Sequence, residues 1–246
     1  MALAFITGGA RGLGAEIVRK AHATGWDVAI FDLSRERAAG VLADVPSARF
    51  FEGDVTDEAR VAAVLNDLGA VPDLLVNNAG IVTFRPLIET STAEFTRTIA
   101  VNLIAACTVA RLCAERMIPR GSGTIINITS TGGIATSPGT HAYAAAKRGL
   151  GAMTELMAQE WGPLGLRINS VAPGMIHGGM SEGIYREPGV AEHRSRGVPS
   201  RRLGTERDVA EAVMWLASDA ASYINGHELV VDGGLTKGVM SMIKAQ

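Results

Sequence analysis

The chain has 246 residues, 47% of them hydrophobic and 20% charged, with a formal net charge of −2. That supplies enough apolar material for a large core in one domain spanning 1–246, and it excludes a disordered chain. Near-neutral charge and only 5% aromatics, with no basic stretch, exclude the electrostatic footprint of a nucleic-acid or acidic-membrane binder.

Leu3-Ala4-Phe5-Ile6 is a short apolar run that predicts a buried strand over 3–6. It runs directly into Thr7-Gly8-Gly9-Ala10-Arg11-Gly12-Leu13-Gly14, behind which a helical pattern covers 13–24. Glycines 8, 12 and 14 let the backbone turn tightly and approach a ligand. The helix N-terminus behind them offers free N–H groups and a positive dipole end to a pyrophosphate. The spacing is not the common first-third-sixth glycine pattern. No Gly-Lys-Ser/Thr follows, which excludes an ATP-type phosphate loop. A glycine-rich turn without a ligand is the competing reading. The second strand, over 27–31, ends at Asp32, about twenty residues beyond the glycine loop. A carboxylate there accepts hydrogen bonds from the adenosine ribose hydroxyls and repels a 2′-phosphate, which favours NAD over NADP. Arg11 in the glycine loop pulls the other way. Asp32 could instead cap the helix predicted over 35–44.

A strand over 48–52, a helix over 57–68 and a strand over 73–77 lead to Asn77-Asn78-Ala79-Gly80, a turn sequence that tolerates left-handed backbone. A long, apolar-rich helix is predicted over 92–118. It carries Asn102, and also Cys107 and Cys113, whose spacing of six turns them to opposite sides and argues against an internal disulfide. The strand over 123–129 leads to Ser130. The helix over 141–161 carries Tyr143-Ala144-Ala145-Ala146-Lys147, where a spacing of four puts phenol and ammonium on one face. The positive charge favours the phenolate. An ionisable Tyr near a hydroxyl suits proton transfer to or from an alcohol or carbonyl. Ser130 as a hydrolase nucleophile is set aside, because that motif needs glycine two residues to each side and position 128 is Ile. A strand over 167–172, a Gly- and Pro-rich stretch over 175–205, a helix over 206–217 and a strand over 228–231 complete the alternation. No cysteine pair has zinc-ligand spacing and no two histidines are four apart, so no metal site is expected. A strand beginning at residue 3 leaves no room for a signal peptide, and no apolar run reaches the ~18 residues of a membrane span. A cytoplasmic setting is the expectation.

With these motifs in order, the chain resembles the classical short-chain dehydrogenase/reductase family over nearly all its length. Thr7-Gly8 through Gly14, Asp54-Val55, Asn77-Asn78-Ala79-Gly80, Asn102, Ser130, Tyr143, Lys147, Pro173-Gly174 and Val231-Asp232-Gly233-Gly234 carry the resemblance. It implies a doubly wound, Rossmann-type α/β fold. The sheet would have seven parallel strands in the order 3-2-1-4-5-6-7, with helices on both faces and a substrate loop at about 175–205. It implies Tyr143 as general acid/base, Lys147 on the nicotinamide ribose, Ser130 on the substrate oxygen and Asn102 holding a relay water. The implied cofactor contacts are Gly8, Arg11, Gly12, Leu13, Gly14, Asp32, Leu33, Asp54 at the adenine amino group, Val55 through its backbone, and Asn78, Ala79 and Gly80 as floor. Pro173, Gly174 and Ile176 would meet the nicotinamide end, beside Tyr143 and Lys147. Candidate substrate contacts are Ser130, Thr131, Gly132, His141, Tyr143, His177 and Met180. His141 could face the cleft mouth or be an ordinary polar residue at a helix start. The family usually carries Thr two residues after position 176, where this chain has Gly178.

The expected reaction is reversible hydride transfer between NAD(H) and a secondary alcohol or ketone. One alternative is an NADPH-dependent 3-oxoacyl-[acyl-carrier-protein] reductase. Asp32 and the absence of a basic residue in Gly162-Pro163-Leu164-Gly165 argue against it. The other is a non-catalytic, dinucleotide-sensing regulator, and the presence of both Tyr143 and Lys147 argues against that. A homotetramer is expected, built on two kinds of two-fold contact. One pairs the helices over 92–118 and 141–161, and the other pairs 206–217 and 228–231. The apolar tail residues Val239, Met240, Met242 and Ile243 are expected to be buried at an interface.

Overall fold

Each apolar run becomes a strand of one parallel sheet. The computed structural model describes residues 1–238; the tail from Val239 to Ile243 lies outside the described residues. β1 (Leu3–Thr7), β2 (Asp27–Asp32), β3 (Arg49–Glu52), β4 (Leu74–Asn77), β5 (Gly123–Ile128) and β6 (Leu166–Pro173) are joined by a last strand, β9 (Glu228–Val231). Their spatial order is β3-β2-β1-β4-β5-β6-β9, with every pairing parallel. This is the expected seven-strand order, with β9 as the seventh strand of the sheet. The intervening labels belong to a separate two-residue pair, β7 (Ile176–His177) with β8 (Gly204–Thr205).

Alternate side chains of each strand go to opposite faces. Ala4 and Ile6, with Ile30, Val76 and Ile126, pack under α1 (Gly12–Ala23) and α10 (Glu206–Ala217). Leu3 and Phe5, with Phe31, Leu75 and Ile125, pack under α3 (Glu58–Asp67) and α5 (Ala105–Met117) and against Met157 and Ala158 of α7 (His141–Trp161). Burial on both faces explains why the strands are almost wholly apolar. Each of these larger side chains contributes about 1.5–3 kcal/mol when fully buried.

Three elements differ from expectation. The helix predicted over 35–44 is only α2 (Ala39–Asp44), because residues 34–39 form successive tight turns instead. The helix predicted over 92–118 is interrupted. α4 (Thr92–Ile99) starts at a capping box made by Ser91 and Glu94, and a π-helical turn over Ala100–Ile104 precedes α5. The stretch 175–205 is partly ordered, holding β7, α8 (Glu182–Tyr185), α9 (Val190–Gly197) and β8. The segment Thr92–Arg120 is long and apolar enough to cross a membrane by length and composition, contrary to the sequence expectation. Yet 56% of its most apolar window is buried inside the protein, as befits a core helix. Cys107 and Cys113 are both free thiols.

Candidate active site

The strand order reverses between β1 and β4, and a crevice opens beyond their carboxyl ends, where doubly wound sheets bind ligands. Hydrogen bonds hold the two strand exits together. Thr7 Oγ1 accepts from the backbone N–H of Asn78 (3.1 Å) and of Ala79 (3.2 Å), and Asn78 Nδ2 donates to Gly8 O (2.8 Å). This packing explains the glycines. A Cβ on Gly14 would lie 2.0 Å from Gly8 O and 2.5 Å from Asn78 Nδ2, and one on Gly8 would lie 2.8 Å from Ala79 Cα. Gly8 and Gly12 also hold φ of +65° and +57°, which favours glycine. The backbone therefore forms an open cradle at the N-terminus of α1, which has no acidic residue in its first turn. Such a cradle suits a pyrophosphate.

Asp32 sits at the end of β2. Its Oδ2 accepts from Ala10 N (2.9 Å) and its Oδ1 from Leu33 N (2.7 Å), so it braces the glycine loop while lining the crevice. Asp54 holds its own turn through Thr56 N and Oγ1. The crevice is open to solvent, with a cavity volume of about 280 Å³. Every residue expected to contact the cofactor lines it: Gly8, Arg11, Gly12, Leu13, Gly14, Asp32, Leu33, Asp54, Val55, Asn78, Ala79, Gly80, Tyr143, Lys147, Pro173, Gly174 and Ile176. A nicotinamide dinucleotide fits these features: a cradle that only glycine permits, a helix N-terminus for phosphate, and a carboxylate at the adenosine end.

Ser130, Tyr143 and Lys147 meet at the other end of the crevice. Ser130 caps a single helical turn, α6 (Thr131–Ile134), with its Oγ accepting from Gly132 N at 3.0 Å, and it lines the crevice with Tyr143. Burial pushes the Tyr143 phenol above its usual range, and the Ser130 hydroxyl pulls it back in part. The upward direction is opposite to that expected from the adjacent ammonium alone. Lys147 lies with Nζ 5.6 Å from the Tyr143 ring centre and donates to Ile128 O at 2.8 Å. It is 3% exposed, and burial pulls its ammonium down to about 8. Asn102 is fully buried in the π-turn. Nδ2 donates to Ile81 O (2.8 Å) and Thr98 O (2.9 Å), and Oδ1 accepts from Ile81 N (3.2 Å). Both its donors are committed to protein backbone, so only a second lone pair of Oδ1 could hold a water.

Of the expected substrate contacts, Ser130, Tyr143 and Met180 line the crevice, whereas Thr131, Gly132, His141 and His177 do not. Thr131 Oγ1 donates to Pro173 O at 3.2 Å. His141 Nδ1 accepts from Ala142 N (2.9 Å), which leaves Nε2 to donate to Thr90 Oγ1 (3.1 Å). Nδ1 thus serves the start of α7, and Nε2 ties it to Thr90 ahead of α4. His177 is exposed and stacks on Tyr185, with ring centres 5.5 Å apart. The crevice also includes residues that the sequence reading missed, among them Arg37, Ile81, Arg97, Thr129, Gly179 and Glu206. Ile81 and Thr129 adjoin recognised motifs and were within reach of the same argument. Arg37 arrives from the turns before α2, Arg97 and Glu206 from helices, and none of the three carries a local signal.

A family model described as enoyl-(acyl carrier protein) reductase matches residues 8–236. The chain is similar to 2-(S)-hydroxypropyl-CoM dehydrogenase 3 of Xanthobacter autotrophicus, at 35% identity over 94% of this chain and 95% of that protein. It is equally similar to a 3-oxoacyl-[acyl-carrier-protein] reductase of Chlamydia muridarum, at 35% identity over 94% of this chain and 96% of that protein. Among solved structures, a gluconate 5-dehydrogenase of Burkholderia cenocepacia in complex with NADP and tartrate superposes with a TM-score of 0.91 at 31% identity, covering 97% of this chain and 96% of that one. With this fold, this crevice and these relatives, the chain belongs to the short-chain dehydrogenase/reductase family, oxidoreductases that bind a nicotinamide dinucleotide.

Proposed function

We propose that the protein is an NAD(H)-dependent oxidoreductase interconverting a secondary alcohol and a ketone, with Tyr143 as general acid/base. The observation that carries this reading is that Ser130, Tyr143 and buried Lys147 line one crevice with the glycine cradle, Lys147 Nζ lying 5.6 Å from the Tyr143 ring centre. Hydride acceptance or donation at the carbon is the chemistry that a bound nicotinamide supplies. In this reading, Ser130 Oγ and the Tyr143 hydroxyl hold the substrate oxygen. The phenol gives up or takes the proton of that oxygen, and Ser130 stabilises charge developing on it. Lys147, anchored on Ile128 O, lowers the cost of the phenolate once the site is filled. Asn102 is a positioning residue that fixes Ile81 beside Gly80. The chain would act as one domain, with the stretch 175–205 as substrate wall and Met180 its contributor to the crevice.

NADP is the second reading, carried by one observation: the cationic side chains of Arg11 and Arg37 line the crevice with Asp32. Homotetrameric assembly is also proposed. Its support is the exposure of Phe95, Ile104 and Leu156 on one set of helices and of Trp215 and Tyr223 at and beyond α10.

The test is dinucleotide oxidation against a panel of ketones, in wild type and Tyr143→Phe. Turnover in the variant should fall by 10²-fold or more, since general acid/base catalysis contributes about 10²–10⁴. NADH binding should stay near the wild-type value. Near-normal turnover would reject the mechanism, and no turnover of any ketone by wild type would favour the regulator.

A further inference from the structure

Three arginines line the crevice, and two of them, Arg11 and Arg37, bear on the choice between NAD and NADP. The third, Arg97, comes from the last turn of α4 and has no such role. Among the described residues, its guanidinium has no hydrogen-bond or ion-pair partner. The carboxylate at i−3, Glu94, is the one that helix geometry would bring to it. Glu94 instead lies 3.1 Å from Arg85 and closes the capping box with Ser91. Arg97 is exposed, so its charge is met by water in the free protein. Phe95, two residues earlier, belongs to another face of the helix, so the contact proposed for that residue does not compete for Arg97.

Val101 follows Arg97 by four residues and lines the crevice with it. Val101 also borders a small gap shared with Val55 and Ala79. Val55 follows β3, which lies beyond β2 in the sheet, and β2 ends at Asp32. The crevice-lining face of α4 thus meets the β2–β3 side of the switch point, whereas Ser130 follows β5 on the other side. With Asp32 at the adenosine ribose, the group that a dinucleotide presents on the β2–β3 side is adenine, an uncharged flat ring with apolar faces. Val55 and Val101 supply apolar wall for such a ring. A guanidinium is itself flat, weakly hydrated and attracted to a π-face. We infer that Arg97 is a cofactor-binding residue that lays its guanidinium on the adenine ring of the bound dinucleotide. The inference rests on the dinucleotide reading of the crevice. It adds an adenine contact from α4, an element that supplies none of the glycine, Asp32 or Asp54 contacts.

Arg97→Ala and Arg97→Lys, in the full chain, are titrated with NADH, NADPH, ADP and reduced nicotinamide mononucleotide, and melted without ligand. In Arg97→Ala the dissociation constants of NADH and ADP should rise together, about ten-fold, the size of a partly desolvated cation–π contact. The mononucleotide, which has a phosphate and no adenine, should bind as it does to wild type. Lysine keeps the charge and loses the flat fork, so Arg97→Lys should recover only part of the loss. Arg97 has no partner to lose in the free protein, so the Tm of both variants should match the wild type. An equal loss with the mononucleotide, or full recovery by lysine, would mean simple attraction to phosphate and overturns the inference. A loss confined to NADPH overturns it in favour of the 2′-phosphate, and a lowered Tm overturns it in favour of a structural role. Wild-type affinity of Arg97→Ala for NADH and ADP refutes the inference and leaves the dinucleotide reading standing. A wild type that binds neither NADH nor ADP refutes both.

Discussion

Lys147 carries a proton that the fold disfavours. It is 3% exposed and its ammonium titrates near 8 in place of 10.5. Below about pH 8 folded and unfolded chains both hold the proton, and the full penalty of a buried charge is present. Between about 8 and 10.5 only the unfolded chain keeps it, so stability rises with pH through that window. The gap corresponds to about 3 kcal/mol. Urea denaturation of wild type and Lys147→Met should therefore show the wild type gaining roughly 2–3 kcal/mol on the variant between pH 7 and pH 10. A difference that does not change with pH would mean that Lys147 is not desolvated as its surroundings suggest. Asp32 raises a second residue-scale question. Its carboxylate braces Ala10 and Leu33 and faces the same space as Arg11 and Arg37. Asp32→Asn removes the charge and keeps one acceptor for that bracing. It should raise use of NADP relative to NAD about ten-fold, since one lost charge repulsion is worth about 1.4 kcal/mol. A wild type that already prefers NADPH in steady-state kinetics would overturn the NAD reading.

The π-turn over Ala100–Ile104 shows what the elements add to the residues. An α-helix rotated by one further residue carries Asn102 to Ile81, whose N–H and C=O both pair with the side-chain amide. Ile81 directly follows the Asn78-Ala79-Gly80 turn, and a Cβ on Gly80 would lie 2.7 Å from Asn102 Oδ1. Asn102→Leu would leave the Ile81 N–H and C=O and the Thr98 C=O short of a partner. Each unsatisfied buried group costs about 1–3 kcal/mol, so a loss of roughly 3 kcal/mol or more in urea denaturation is expected, with partial loss of dinucleotide binding. A loss below 1 kcal/mol would show that Ile81 does not depend on this amide. None of this was legible in the sequence. The pattern 92–118 reads as one helix because a single extra residue in a turn shifts the apolar stripe too little to register. The strands were legible because burial on both faces demands unbroken apolar runs, as in Leu74-Leu75-Val76. The glycine loop was legible because Gly8 and Gly14 stand where any Cβ would strike backbone. His141 and His177 lie outside the crevice lining, because sequence proximity to Tyr143 and Ile176 does not say which way a ring turns. Glu206 was invisible because its carboxylate meets Gly12 from almost two hundred residues away.

At the scale of the whole molecule, five of the exposed apolar side chains lie on or beside the elements expected to pair with a second copy. Phe95 and Ile104, on α4 and the π-turn, and Leu156 on α7 are 37%, 58% and 48% exposed. Trp215 on α10 is 45% exposed, and Tyr223, between α10 and β9, is fully exposed. Isolated exposed hydrophobics need no explanation, but clusters on one surface point to a partner. Phe95, Ile104, Leu156 and Trp215 lie on the elements through which a second copy of the chain was expected to pair, and Tyr223 lies between the two elements of the second set. Two independent contacts of this kind, each two-fold, close a tetramer and leave no open surface for further growth. If so, each contact can be broken separately. Ile104→Glu buries a charge in one contact and Tyr223→Glu in the other, and an unpaired buried charge disfavours association by several kcal/mol. Light scattering should then give a mass near four times 25.7 kDa for wild type, near twice that value for each single variant, and near 25.7 kDa for the double variant. A wild type at 25.7 kDa and micromolar concentration would reject the assembly. A tetramer that survives Ile104→Glu and Tyr223→Glu together would place its contacts on other faces.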